Sequence, residues 1–295
     1  MIKNPTTPSD TITITLDGQP ITAKKGEILL DVARRNGAFI PTLCHLDGLT
    51  PYGACRLCTV KVKHGSWSKF VTSCNYPIWD GLEVETATDE VNQNRKLVIE
   101  ALLSRAPKAP VLQNLAKTYG VTTTRFPNLD PAEKCILCGL CVRVCDDVVG
   151  AHAIGFVGRG QDRRVGIHIN DAACIGCGAC SYVCPTDAID MESVTVGHFR
   201  DRWGEDRPCR YSLMGLLPGS VCHNNYECWR CETDQTIMDL CQPVHPVFVA
   251  RGIDNAGVRS VIRKMSVMIP PDHEDCDDGS TDEATAGQQS PPSDT

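Results

Sequence analysis

Eight cysteines between Cys135 and Pro185 fall into one phrase written twice, CILCGLCVRVC from Cys135 to Cys145 and CIGCGACSYVCP from Cys174 to Pro185. Each copy reads C-x2-C-x2-C-x3-C. Thiolates are soft ligands, and four of them at this spacing suit an iron-sulfur cubane, a [4Fe-4S] cluster. In such runs the fourth cysteine of each copy ligates the other copy's cluster. One cluster is then expected on Cys135, Cys138, Cys141 and Cys184, and a second on Cys174, Cys177, Cys180 and Cys145. Disulfides or zinc are the competing uses of eight cysteines, but zinc sites pair short C-x2-C knuckles and do not run four cysteines together twice.

The wrapping backbone must turn tightly, and Gly139, Gly176, Gly178 and Ala179 remove the side chains that would obstruct it. Pro185, directly after Cys184, stops the second copy's turn from continuing as a helix. The first copy has Asp146 in that place. The pattern is that of a bacterial ferredoxin with two [4Fe-4S] clusters.

Two further cysteine groups flank this stretch. Upstream, Cys44, Cys55, Cys58 and Cys74 are spaced C-x10-C-x2-C-x15-C, which supplies the four thiolates of a [2Fe-2S] site without the plant-type spacing. His45 and His64 flank that group and read as ordinary loop residues, since four cysteines already complete it. Downstream, Cys209, Cys222, Cys228 and Cys231 form a C-x12-C-x5-C-x2-C group that fits a further [4Fe-4S] cluster or structural zinc. Unligated thiols packed among Leu216, Tyr226 and Trp229 are the plain alternative. Cys241 with His245 offers another ligand pair, and Cys276 is expected to be unligated.

The elements that position the first group are legible nearby. Thr11 to Leu16 alternates strictly, Asp17-Gly18 signals a hairpin turn, and a second strand is expected around Ile21 to Ala23. Glu27 to Asn36 carries apolar residues at helical spacing with Gly37 as its cap. The stretch TVKVKHGSWSKFVTS reads as another hairpin. Strand, strand, helix and cysteine loop is the order of a β-grasp domain. Leu97 to Leu103 present an apolar helix face, and Val111 to Tyr119 a short helix with a packing role. The segment GRGQDRR, Gly158 to Arg164, is basic and glycine-rich, but with no strand before and helix after it the expectation is a solvated loop rather than a nucleotide cradle.

The phrases PTLCHLDGLTPYGACRLCTVKVKHG, SCNYPIWDGLEVETATDEV, RKLVIEALLSRAP and CILCGLCVRVCDDVVGAHAIGFVGRG are similar to the N-terminal region of the large iron-sulfur subunit of complex I. They resemble equally the diaphorase-type iron-sulfur electron-transfer subunit of NAD-linked hydrogenases and the front end of NAD-linked formate dehydrogenases. The resemblance covers roughly residues 10 to 195. It departs at Ala106 to Val121, where that family carries one histidine and three cysteines for another cluster and this chain has neither residue type. The long molybdopterin-type domain does not follow, so the resemblance leans toward the free-standing diaphorase subunit.

The chain has 295 residues, eighteen cysteines and a formal charge of −7. That length accommodates several units. The expected fold class is α+β: a [2Fe-2S] β-grasp ferredoxin-like domain over 10–90, a helical linker over 91–128, a 2x[4Fe-4S] ferredoxin domain over 129–195, a cysteine-rich metal-binding extension over 196–270 and a disordered acidic tail over 271–295. The charge argues against nucleic acid, which needs a basic surface. MIKNPTTPSD lacks a signal peptide's charged and apolar regions, and no stretch reaches the ~20 apolar residues of a membrane span. A cytoplasmic protein with thiolates committed to metal is expected. No residue reads as a proton-transfer or nucleophilic catalyst. The resemblance implies an electron relay between a flavin/NAD(P)H-binding diaphorase subunit and a hydrogenase or dehydrogenase catalytic subunit. A redox- or metal-responsive adaptor and a succinate dehydrogenase-like iron-sulfur subunit are the alternatives.

Overall fold

The computed structural model describes residues 11–128, 130–167, 169–190, 199 and 207–253. The acidic tail expected over 271–295, Cys276 included, lies outside the described residues.

Strands β1 (Thr11–Leu16) and β2 (Gln19–Lys24) pair antiparallel, with Thr11 opposite Lys24 and Leu16 opposite Gln19. Both turn residues, Asp17 and Gly18, have positive φ, as a two-residue primed hairpin turn demands. The Asp17 carboxylate also accepts the backbone N–H and the hydroxyl of Thr86, at 2.7 and 2.6 Å. That bond fixes β5 (Glu83–Glu85), which runs parallel to β1 and antiparallel to β3 (Thr59–His64). With β4 (Trp67–Thr72) the sheet order is β2-β1-β5-β3-β4. Alternation places Ile12, Ile14, Leu16, Val60, Val62 and Val84 on one face, where they meet Leu29, Leu30, Val32 and Ala33 of helix α1 (Leu29–Arg35). This is the β-grasp arrangement, with β2 and α1 where the sequence pattern put them, to within two residues at each end.

Helix α2 (Asp89–Arg105) starts on a Thr88 cap and lies against β3, where the buried Arg95 guanidinium donates to the Thr59 carbonyl at 3.1 Å. Helix α3 (Pro110–Tyr119) opens on a proline and closes on Gly120 in the left-handed conformation. Leu112, Leu115 and Ala116 pack beside Ile99, so the segment lacking the extra cluster motif serves the core. The apolar face of α2 is narrower than its sequence suggests. Val98, Ile99, Leu102 and Leu103 pack inward, whereas Leu97 stands 44% exposed because it falls on the opposite side of the turn.

The two cysteine runs fold alike. Helix α4 (Leu140–Arg143) and helix α5 (Ala179–Tyr182) follow Gly139 and Gly178, both left-handed, and pack on each other. They end differently. After Cys184 the chain meets Pro185 and leaves, but after Cys145 it meets Asp146, retains its N–H groups and continues as a wider π-helical turn over Val144–Val149. The solvated loop expected over Gly158 to Arg164 is exposed at all but half-buried Arg163, and it forms the turn of a hairpin, β6 (Gly155–Val157) with β7 (Arg164–Gly166). Its Gln161 and Arg163 carbonyls accept from Arg105 at 3.2 and 2.8 Å.

Beyond these lie α6 (Arg210–Met214), α7 (Glu232–Cys241) and α8 (Pro246–Ala250). Tyr211, Met214, Val244, Val247 and Phe248 join one continuous core with Leu140, Val144, Val183 and the Leu43, Leu46, Leu49 and Leu57 side chains of the first cysteine loop. All three cysteine-bearing regions are therefore braced against a shared apolar interior.

Candidate metal centres

None of the seventeen described cysteines is in a disulfide. The first group sits where the loop after α1 meets the end of β4. Cys44, Cys55, Cys58 and Cys74 are all buried. They stand as two pairs. The Cys55 thiol and backbone N–H, the latter at 3.4 Å, face the Cys44 sulfur, and hydrogen bonding from Cys55 holds the Cys44 pKa down at about 6. Hydrogen bonding from Cys74, backed by Ser73, likewise holds Cys58 at about 6. Cys55 and Cys74 are pushed the other way by the same hydrogen bonds and by burial. Two thiol pairs facing one another suit a two-iron rhomb, each pair serving one iron. Of the flanking histidines, His45 bonds Asp47 at 3.1 Å and His64 packs against Trp67.

The ferredoxin cysteines are grouped across the two copies. Cys135, Cys138 and Cys141 each lie within electrostatic reach of Cys184. Cys145 stands instead with Cys174, Cys177 and Cys180 around a small apolar hollow, whose walls include Val144, Val149, Ile154 and Ile167. Burial pushes the pKa of Cys138 and of Cys177 up to about 12, and the neighbouring thiolates push the same way. Backbone N–H groups reach the sulfurs, from Leu137 to Cys135 at 3.4 Å, Ala153 to Cys145 at 3.3 Å and Ala188 to Cys184 at 3.3 Å. Buried thiols lining an apolar hollow and approached by N–H dipoles fit a buried cluster that brings its own iron charge.

Gly139 shows why the turns need glycine. It has φ 72°, and a Cβ there would lie 3.2 Å from Phe156 and 3.3 Å from Tyr52.

Sequence reasoning missed Arg143, the middle residue of CVRVC. Its two terminal nitrogens donate to the Cys44 and Thr50 carbonyls, both at 2.6 Å, and its guanidinium lies over the Tyr52 ring. Thr50 N–H returns a 3.3 Å bond to Asp147. The signal was a lone cation inside a cysteine run. Cys138 is also within electrostatic reach of Cys44, so the first group and the first ferredoxin group are neighbours.

Cys209, Cys222, Cys228 and Cys231 are all half-buried and lie near one another, Cys209 facing Cys222 and Cys231, and Cys228 facing Cys222 and Cys209. The alternative pair of Cys241 and His245 does not form a site. The His245 ring is buried against Tyr182 and Phe248, and its Nδ1 accepts the Val247 N–H at 3.3 Å. Burial, with Arg210 nearby, drives its pKa down to about 3, so it remains a neutral core histidine.

Residues 9–89 match the 2Fe-2S iron-sulfur cluster binding domain, and residues 134–188 match the 4Fe-4S dicluster domain. The chain carries both kinds of iron-sulfur domain. NADPH-Fe(3+) oxidoreductase subunit alpha of Geobacter sulfurreducens is 34% identical over 203 residues, which cover 60% of this chain and 24% of that protein. The mitochondrial NADH-ubiquinone oxidoreductase 78 kDa subunit of Candida albicans is 30% identical over 183 residues, covering 54% and 25%. NADP-reducing hydrogenase subunit HndD of Solidesulfovibrio fructosivorans is 30% identical over 210 residues, covering 60% and 36%. The iron-sulfur chain thus spans about a quarter to a third of the length of these curated relatives. The Cys209 group lies outside both matched domains. No helix among the described residues is long and apolar enough to cross a membrane.

Proposed function

We propose that this chain is an electron-relay subunit, passing electrons between a flavin-containing partner that oxidises NAD(P)H and a second redox subunit of hydrogenase or dehydrogenase type. In this reading Cys44, Cys55, Cys58 and Cys74 hold a [2Fe-2S] cluster. Two [4Fe-4S] clusters are held across the copies, one by Cys135, Cys138, Cys141 and Cys184, the other by Cys145, Cys174, Cys177 and Cys180, and a further metal by the Cys209 group. The clusters, when bound, supply one-electron storage and release. The chain's own residues set burial, spacing and hydrogen bonding to sulfur, and bond-making is left to the partners. Working in a reducing cytoplasm suits so many thiols free of disulfide.

The observation that carries this reading is the seam at Arg143. An arginine on the helix between two cubane cysteines is bonded to the backbone of a cysteine from the other domain, which holds the two groups adjacent. Backbone N–H groups aimed at sulfur stabilise the more negative, reduced state, as a relay centre requires. The related NADPH-Fe(3+) oxidoreductase and NADP-reducing hydrogenase subunits support the choice of partners. Anaerobic purification of the native complex tests it. A flavin-containing subunit should copurify, and NAD(P)H should bleach the cluster absorption of the complex. A chain that purifies without any flavoprotein and stays oxidised under NAD(P)H contradicts the proposal.

A further inference from the structure

We infer that Cys209, Cys222, Cys228 and Cys231 bind a third cubane [4Fe-4S] cluster, not zinc, and that the fold seats it against the Cys174–Cys180 copy as the fourth centre of the row. The placement in a row rests on the relay reading above, whereas the metal's identity does not.

Spacing separates the two metals. Tetrahedral zinc with Zn–S bonds of about 2.3 Å draws its thiolates to within about 3.8 Å of one another. Among the described residues, the only three potential ligand atoms that close to within 4.8 Å of one another belong to Asp31, His45 and Asp47. No three of the Cys209-group sulfurs do so. A cubane would set each thiolate on its own iron corner, at a wider spacing, and the open arrangement of these four sulfurs is compatible with it. No three sulfurs of the twelve cysteines in the matched domains close to that distance either. The Asp31 grouping itself carries nothing, since Arg34 and Arg35 share its pocket.

The site shares backbone geometry with the cubane sites. The Tyr226 N–H reaches the Cys222 sulfur at 3.3 Å. Cys209 is pinned from both sides of its turn by backbone bonds, its own N–H to Ser220 at 2.8 Å and the Cys222 N–H to Arg207 at 2.6 Å.

The seat against the second copy repeats the seam at Arg143. Arg210, next to Cys209, donates to the Cys177 carbonyl at 3.3 Å, as Arg143 donates to the Cys44 carbonyl. The Tyr182 hydroxyl donates to the Pro243 carbonyl at 3.1 Å. Phe199 fills the space over Gly176 and packs edge-on to Tyr226, which leads to Cys222. Each end of the ferredoxin pair is thus fastened to another thiolate group by an arginine on a cysteine carbonyl.

Metal analysis of the full chain, purified anaerobically and reconstituted with iron and sulfide, tests this with electron paramagnetic resonance of the dithionite-reduced state. About fourteen irons and no zinc per chain are expected from one two-iron and three four-iron centres. The variant Cys228→Ser should lose about four of these irons and keep the [2Fe-2S] signal, while Cys241→Ala should lose none. Magnetic interaction between the third cubane and its neighbour should vanish in Cys228→Ser. About ten irons with one zinc, or about ten irons with no zinc after reconstitution, overturns the cubane. About fourteen irons without any interaction lost in the variant overturns its placement beside Cys177. If these results hold but NAD(P)H fails to reduce the native complex, the relay reading fails while the third cubane stands.

Discussion

Arg143 and Tyr182 hold the same place in the two cysteine runs, two residues after the third cysteine, and each fastens its copy to a different neighbour. Arg143 grips the Cys44 loop, and Tyr182 packs on His245 and Phe248 and reaches Pro243. The ferredoxin pair is internally repetitive, but its two faces differ in chemistry at this position.

Arg143→Ala removes two charge-assisted bonds and leaves the Cys44 and Thr50 carbonyls without that donor. Full iron content is expected, with a loss of about 2–4 kcal/mol in the docking of the β-grasp domain. In rapid-mixing experiments with reductant supplied through the partner, reduction of the cubane centres should lag behind the [2Fe-2S] centre. Unchanged kinetics together with unchanged thermal stability would remove Arg143 from any coupling role.

Cys184→Ser tests the crossed grouping. The damage should appear in the cluster of Cys135, Cys138 and Cys141, which Cys184 faces, and spare the cluster of its own copy. Mössbauer spectra in which only the Cys174, Cys177 and Cys180 cluster is altered contradict it.

Gly176 and Gly160 both have positive φ, 59° and 55°, but differ in surroundings. A Cβ at Gly176 would lie 2.4 Å from the Phe199 ring, whereas one at Gly160 meets nothing within 4 Å. Gly160→Ala should cost about 1 kcal/mol from backbone strain alone. Gly176→Ala should cost about 2–4 kcal/mol, overpacking added to strain, and should loosen the second cluster. Equal melting temperatures for the two variants would show that Phe199 does not press on Gly176.

Arg210 and Asp234 form a buried ion pair at 2.7 Å, with Tyr211 bonded to the same carboxylate oxygen. Asp234→Ala strands a buried guanidinium and should cost about 3–5 kcal/mol. The double variant Arg210→Met, Asp234→Leu should recover much of that stability, because it removes both charges. Chemical unfolding followed by tryptophan fluorescence reads the difference. A double variant no more stable than Asp234→Ala would mean that the Cys177 carbonyl contact, not the ion pair, dominates.

Local chemistry is legible along the chain. Thiolate count and spacing in Cys135–Cys145 and Cys174–Cys184 name the cluster type, and alternation around Asp17-Gly18 names the first hairpin, because both depend on residues close along the chain. The crossed grouping of Cys145 and Cys184 was also legible, through the ligation pattern that this spacing carries. Tertiary structure alone decided what those pieces face. A lone arginine in CVRVC carries no sign that its partner is a carbonyl 99 residues away. The GRGQDRR turn is rightly read as solvated, but its anchor is hidden, because Arg105 donates to backbone carbonyls that no side-chain pattern records. Zinc and cubane are both open readings of Cys209 to Cys231 in the sequence for the same reason: spacing along a chain counts thiolates, while the arrangement of sulfurs in space, on which the proposed cubane rests, exists only once the chain has folded.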